Sequence, residues 1–101
     1  MGAETFDTII RGDDMGAAFR EAVRRAKHDY GHAGYSGTIA EKQSARYIGE
    51  AKSMKEAQDM AWTLIDAMDP RIDDKWGPAG AIEFSDKDGT TAWLFFGWAS
   101  S

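Results

Sequence analysis

The segment that most constrains the fold of this chain is the apolar run TAWLFFGW at residues 91–98. Its aromatic and aliphatic side chains are typical of a β-strand. Because neighbouring side chains of a strand point to opposite faces, Trp93 lies on one face while Leu94 and Phe96 lie on the other. Neither face suits water, so both need a cover. Helices are expected to cover one face, and another copy of the chain or a partner protein the other; of these two, a homo-oligomer through this strand is predicted.

Three further segments have the composition of strands. Residues 80–85, GAIEFS, are predicted to form a hairpin with the apolar run, because the intervening DKDG contains an Asp-Gly turn pair. Residues 5–10, TFDTII, are rich in β-branched side chains and predict a first strand. Another strand is predicted at residues 36–42, and residues 45–48 either continue it after a bulge or begin a new one.

Two segments show the three- and four-residue spacing of apolar side chains that is typical of amphipathic helices. The first helix is predicted to begin at an aspartate cap, Asp13 or Asp14, and to stop at Gly31. The second is predicted to begin at Ser53, which opens a capping box, and to end before Pro70. The pattern predicts a single α+β domain over the whole chain, with the order β-α-β-α-β-β and both helices on one face of a mainly antiparallel four-stranded sheet.

Composition excludes several classes of function. The chain has 101 residues and no cysteine, so disulfides and thiolate chemistry are excluded. Its 17 acidic and 12 basic side chains give a net charge of −5, which opposes general binding to nucleic acid or to an anionic membrane. It contains no apolar run of membrane-spanning length and no signal-peptide pattern at its first residues. A cytoplasmic location is therefore expected.

The residues that could bind a ligand cluster in DYGHAGYSGTIAEK at residues 29–42. Its glycines allow positive φ and close backbone approach, although their spacing matches neither a P-loop nor a dinucleotide fingerprint. The pattern predicts a pocket for a nucleotide-like ligand, with no catalytic residue and no cofactor. The predicted contacts are His32 and Tyr35 to a ring, Ser36 and Thr38 to phosphate or sugar oxygens, and Lys42 and Arg11 to offset negative charge.

Two other interpretations of individual residues stay open. His28 and His32 are four residues apart and could, with Glu41, form the centre of a metal-dependent hydrolase, or they could be a helix-end and a loop histidine. No metal site is assigned, because two histidines without a located third ligand are incomplete. Trp76, in the rigid sequence WGPAG, either joins the second helix to the hairpin or offers a stacking surface for a ring.

Two sequence blocks, HDYGHAGYSGTIAEK at 28–42 and DKWGPAGAI at 74–82, resemble a family of small bacteriophage-encoded proteins found less often in bacterial hosts. The closing FFGWA at 95–99 shares the resemblance. The resemblance implies the biological context of a phage protein, but it assigns no role to any residue, since the family has no assigned reaction. Small phage proteins often inhibit host defence by blocking a protein or sequestering a nucleotide signal. The resemblance therefore implies a non-enzymatic anti-defence inhibitor that binds a nucleotide-like ligand or a host defence protein. The alternatives are the hydrolase and a purely structural interaction module that uses residues 91–98.

Overall fold

A computed structural model describes residues 2–31 and 34–101 of the chain. These residues form two helices and a four-stranded sheet in the predicted order β-α-β-α-β-β, with a short 3-10 turn at Ile39–Glu41 before the second strand. The α+β class is confirmed. The elements are β1 (Ala3–Arg11), α1 (Met15–Tyr30), β2 (Ala45–Ala51), α2 (Met54–Asp66), β3 (Ala79–Ser85) and β4 (Thr91–Ser100).

Both ends of α1 follow the local sequence signals. The Asp14 carboxylate accepts a hydrogen bond of 2.7 Å from the N–H of Ala17, which satisfies one of the donors left free in the first turn. At the other end Gly31 takes φ +85°, and its N–H donates to the Lys27 carbonyl at 2.8 Å. The predicted start and stop of the first helix are confirmed.

The second helix begins as predicted and ends earlier. The Ser53 hydroxyl accepts from the N–H of Glu56 at 3.2 Å, while the Glu56 carboxylate accepts from the N–H of Lys52 at 3.3 Å. The helix ends at Asp66 because Met68 takes φ +51°, which is outside the helical region. Neither described helix is long and apolar enough to cross a membrane.

The sheet has the strand order β1-β4-β3-β2 and is mixed. Strand β4 runs antiparallel to both of its neighbours, and the predicted hairpin turn between β3 and β4 is present, with Gly89 at φ +83°. The parallel pair is β2 with β3. The prediction of a mainly antiparallel sheet therefore holds for two of the three pairings.

The prediction of a strand at residues 36–42 is wrong. Thr38 caps the 3-10 turn instead, because its hydroxyl accepts from the N–H of Ala40 at 3.2 Å. Gly37 takes φ +72°, which also departs from strand geometry. Short polar side chains that bond to nearby backbone compete with sheet pairing in this way. The second strand is the later segment, residues 45–51.

The prediction that both helices lie on one face of the sheet is also wrong, because α1 and α2 cover opposite faces. The cluster on the α1 side contains Phe6, Phe19, Trp93 and Phe95. The cluster on the α2 side contains Ile65, Ile82, Leu94 and Phe96. The chain moves across the sheet from β1 to β2 and then back from β2 to β3. Right-handed crossovers that run in opposite directions place their helices on opposite faces.

This arrangement corrects the expectation about β4. The strand lies inside the sheet with a neighbour on each side, and helices of the same chain cover both its faces. Trp93 is only 5% exposed, and its indole N–H donates to the Gly12 carbonyl at 3.0 Å. The cover that was expected from another copy is α2, so the apolar run supplies no argument for a homo-oligomer. It also cannot serve as the surface of an interaction module.

Candidate functional site

Two loops meet at one end of the molecule, and each contributes an exposed aromatic ring. We call residues 34–38 the glycine loop and residues 74–77 the tryptophan loop. The rings of Tyr35 and Trp76 pack edge to face, with centroids 6.3 Å apart and planes at 84°. Tyr35 is 50% exposed and Trp76 is 64% exposed. These two side chains form the aromatic surface, and the loops beneath it determine how rigid it is.

The glycine loop is held by the carboxylate of Glu41. Its Oε2 atom accepts from the Ser36 N–H at 3.1 Å and from the Ser36 hydroxyl at 2.8 Å. The Ser36 and Thr38 hydroxyls lie 2.8 Å apart and share a further hydrogen bond. Partial burial raises the pKa of Glu41, but the hydrogen bonds from Ser36 and from the Tyr35 N–H, together with the charge of Lys27, outweigh it, so the pKa lies below its usual value. The loop therefore has a charged acceptor at its centre.

The tryptophan loop is held by the ammonium of Lys42, whose residue is only 4% exposed. Its Nζ donates to three backbone carbonyls, those of Asp74 at 3.2 Å, Lys75 at 3.3 Å and Gly77 at 3.0 Å. The ammonium also lies 5.9 Å from the centroid of the Phe6 ring. Burial lowers the pKa of Lys42 to about 8, although the charge of Asp74 opposes this shift. Three acceptors around one ammonium fix the path of this loop.

A single short turn thus anchors both loops. Glu41 is the last residue of the 3-10 turn and Lys42 is the residue that caps it. Their side chains take different directions: Glu41 bonds back to the glycine loop and Lys42 reaches a segment more than thirty positions away. The two rings are consequently presented from one fixed support.

Tyr35 adopts a backbone conformation that side chains rarely take. Its φ is +55°, in the left-handed region where a Cβ atom costs roughly 1–2 kcal/mol. Gly34 and Gly37 on either side also have positive φ, at +84° and +72°. The prediction that these glycines take positive φ is confirmed. Strain of this kind at an exposed, non-glycine position is a recognised pointer to function.

The structure brings only part of the predicted ligand set together. Tyr35, Ser36 and Thr38 share the glycine loop, but both hydroxyls are engaged inside the protein and the Lys42 ammonium faces the tryptophan loop. His32 lies outside the described residues. Arg11 is at the opposite end of β1, where it forms ion pairs with aspartates of the β3–β4 turn, the shorter at 2.6 Å. The length of β1 separates this guanidinium from the loop by roughly 20 Å.

The hydrolase interpretation has little geometric basis in the described part of the chain. His28 is exposed in the last turn of α1, and the Glu41 carboxylate is occupied by Ser36. No group of three or more potential metal ligands comes together among residues 2–31 and 34–101. His32, the remaining member of the proposed centre, falls outside these ranges.

Of the two interpretations of Trp76, its exposed position fits the stacking surface. The side chain that is buried at this junction is Ile72, at 1% exposure, and it packs with the α2-side cluster. Trp76 instead lies against Tyr35 and under the ammonium of Lys75, which is 5.5 Å from its ring centroid. Sequence reasoning found each ring separately and missed their contact.

Lys42 gives a pH prediction with a definite sign. Its folded pKa of about 8 is below the ordinary value of 10.5, so above pH 8 the unfolded chain holds the proton that the folded chain has lost. The stability that this group contributes therefore rises with pH between about 8 and 10.5. Between about pH 7 and about pH 9, the wild type should gain roughly 1 kcal/mol relative to Lys42→Met. Urea unfolding of both proteins measures this, and a difference between them that does not change with pH would contradict it.

Comparison with protein-family models, with curated proteins and with solved structures finds no match for this chain. Function is inferred from the geometry of the two loops together with the sequence blocks at 28–42 and 74–82.

Proposed function

We propose that this chain is a non-catalytic, phage-type accessory protein that inhibits a host defence protein by binding it through the aromatic surface. The main support for this proposal is the pair of exposed rings, Tyr35 and Trp76. They lie on two loops that Glu41 and Lys42 anchor. The phage setting comes from the resemblance of the sequence blocks. The site of action is then the cytoplasm of the infected cell.

The energetics of protein interfaces support this proposal. Tryptophan and tyrosine are enriched among the few residues that supply most of the binding free energy. A ring held in place before binding loses little conformational freedom on association, so anchored loops favour affinity. The left-handed conformation of Tyr35 adds to the argument, because the fold tolerates a cost there to present this side chain.

A protein partner is favoured over a nucleotide because the polar side chains of the two loops are already hydrogen-bonded within the protein. The Ser36 and Thr38 hydroxyls bond to Glu41 and to each other, and the Lys42 ammonium bonds to three carbonyls. A phosphate would have to displace these internal contacts. An apolar contact with the rings leaves them intact. Sequestration of a nucleotide signal remains the second outcome of the experiment below.

The experiment is an infection assay followed by a direct binding measurement. Bacterial strains that each carry one defence system are infected with a phage which that system blocks, with and without the chain expressed. We expect plaques to be restored in at least one strain. The purified chain is then titrated with the defence protein of that strain and with cyclic di- and trinucleotides. Unchanged plaque counts in every strain would reject the anti-defence role, and binding of the nucleotides alone would assign sequestration.

Variants of the two rings provide the test at residue level. Trp76→Ala and Tyr35→Gly are expected to weaken binding to the defence protein by roughly 30-fold, the effect of losing a hot-spot side chain. Tyr35→Gly should keep its free energy of unfolding within about 1 kcal/mol, because relief of the left-handed conformation offsets the lost ring contact.

Trp62→Ala is the matched control, since Trp62 is also exposed but belongs to α2 and to neither loop. It should bind like the wild type. Equal losses for Trp62→Ala and Trp76→Ala, or full binding by Trp76→Ala, would move the interface away from the aromatic surface.

A further inference from the structure

The outer edge of β1 is a regular, open strand edge. Strand β1 pairs with β4 over nine residues without a register shift. The other edge strand, β2, has seven residues and a bulge after Tyr47. Bulges, prolines and lysines are common devices that prevent an edge from pairing with another chain. Strand β1 contains none of these three, and its protection is limited to the charges of Glu4, Asp7 and Arg11, which oppose pairing with a strand of like charge.

The orientation of the backbone shows which groups this edge offers. Reciprocal hydrogen bonds of 3.2 and 3.1 Å join Gly2 and Ser101 beside the first residue of β1. Alternate residues of an antiparallel strand point to the same side, so the even-numbered residues of β1 bond to β4. The N–H and C=O groups of Thr5, Asp7 and Ile9 consequently point away from β4. No strand in the described part of the chain pairs with them.

A groove of about 510 Å³ runs along this edge. Consecutive residues 4–10 line it, and since they belong to both faces of the strand, the groove lies at the edge rather than over one face. Helix α1 forms a wall, where Ala22 and Ala26 lie buried at the base of the groove. Residues 36–39 also line the groove.

We propose that this groove binds an extended, basic segment of a partner protein, which adds to β1 as a fifth strand. The charge of the groove supports this occupant. Glu4, Asp7 and Asp29 line it, are exposed, and form no ion pair within residues 2–31 and 34–101. Arg25, the one basic lining residue among those that the structure describes, is paired with Glu21 at 2.6 Å. The remaining charge is negative and complements lysine or arginine.

A second copy of the chain is a poorer occupant. Antiparallel pairing of two β1 strands about their centre sets Asp7 beside Asp7 of the copy, and like charges directly opposite each other destabilise such a pair. The groove is also distinct from the aromatic surface, because neither Tyr35 nor Trp76 lines it. The proposal therefore does not depend on the proposed function.

The test uses a displayed library of random nine-residue peptides, selected on the wild-type chain. Enriched peptides should carry net positive charge, and on binding they should slow hydrogen exchange at the amides of Thr5, Asp7 and Ile9. Thr5→Pro removes one outward N–H that the fold does not use and should weaken binding roughly tenfold. Asp7→Lys should weaken it to a similar extent.

Three matched variants should bind the peptides like the wild type. Thr5→Val keeps the outward N–H, Asp66→Lys reverses an exposed charge at the end of α2, and Trp76→Ala alters only the aromatic surface. If Thr5→Pro fails to fold, Asp7→Lys and hydrogen exchange decide the outcome. The proposal is overturned if no peptide is enriched, if Thr5→Pro binds as well as Thr5→Val, or if edge protection rises with protein concentration alone, which would identify a second copy.

Discussion

Gly80→Ala is expected to lower the free energy of unfolding by about 2–3 kcal/mol, which corresponds to a fall of roughly 10 °C or more in melting temperature. Gly80 lies in β3, in the buried centre of the sheet. A Cβ atom there would meet the Phe96 ring at 2.6 Å and the Ile72 side chain at 2.9 Å. Phe96 is fully buried and has no room to move without disturbing the α2-side cluster.

The same substitution on the neighbouring strand provides the control. At Gly49 in β2, a Cβ atom would meet only the Met60 methyl group, at 3.9 Å, which is ordinary contact. Gly49→Ala should be neutral or slightly stabilising, because alanine reduces the conformational freedom of the unfolded chain. Thermal unfolding of both variants measures the contrast. Equal melting temperatures would show that the packing between Phe96 and the β3 backbone is looser than the structure describes.

Features encoded over a few residues could be predicted from the sequence. Asp14 and Ser53 begin their helices because each hydrogen bond that caps a first turn spans only three positions. Gly31 ends α1 through a bond to the preceding turn. The hairpin of β3 and β4 depended on four turn residues. Each of these signals lies directly beside the element that it determines.

Two predictions about the fold were wrong, the placement of both helices on one face and the strand at residues 36–42. In each case distant or competing contacts determine the structure. The face on which each helix packs depends on the strand order, and that order places β4 between β1 and β3, which no local pattern reveals. Residues 36–42 were predicted to form a strand. The Ser36, Thr38 and Glu41 side chains form local hydrogen bonds that favour a turn, and this signal was present in the sequence.

The candidate site was located in part. The glycine loop was identified, since glycines, a tyrosine and two hydroxyls cluster in one short run. Its partner Trp76 was not paired with it, because 41 positions separate Tyr35 from Trp76 and only the packed sheet brings them together. The role of Lys42 was misjudged for a related reason: a sequence shows a positive charge but not the three carbonyls that converge on it.

The two proposed surfaces differ in what they recognise. The aromatic surface offers rigid apolar area, which suits a folded partner with a complementary pocket. The edge of β1 offers backbone groups and negative charge, which suit an extended segment. Gly37 connects them, because it belongs to the glycine loop, lines the groove, and lies against the Glu4 side chain. A single partner that carries an extended arm could therefore contact both surfaces at once, with an avidity above that of either contact.

Lys42→Met is expected to release the tryptophan loop and to lower the free energy of unfolding by about 2 kcal/mol. Methionine keeps much of the side-chain volume beside Phe6 but removes the ammonium donor that three loop carbonyls share. The Asp74 carbonyl still accepts from the Gly77 N–H, whereas those of Lys75 and Gly77 lose this donor. Partly buried carbonyls without a donor cost roughly 1–3 kcal/mol. The loop then loses the contact that fixes its path. Binding that needs Trp76 should fall nearly as far as in Trp76→Ala.

The control is Lys52→Met, which makes the same chemical change at an exposed lysine between β2 and α2. Hydrogen exchange at residues 74–77 separates a released loop from a general loss of stability. Lys42→Met should speed exchange there well beyond the change seen in the sheet, while Lys52→Met should leave it unaltered. Wild-type exchange in this loop, together with wild-type binding, would mean that Lys42 does not support the aromatic surface. The rigidity of Trp76 would then have to come from its contact with Tyr35 and from the turn of its own loop, in which the Trp76 N–H donates to the Asp74 carboxylate at 2.8 Å.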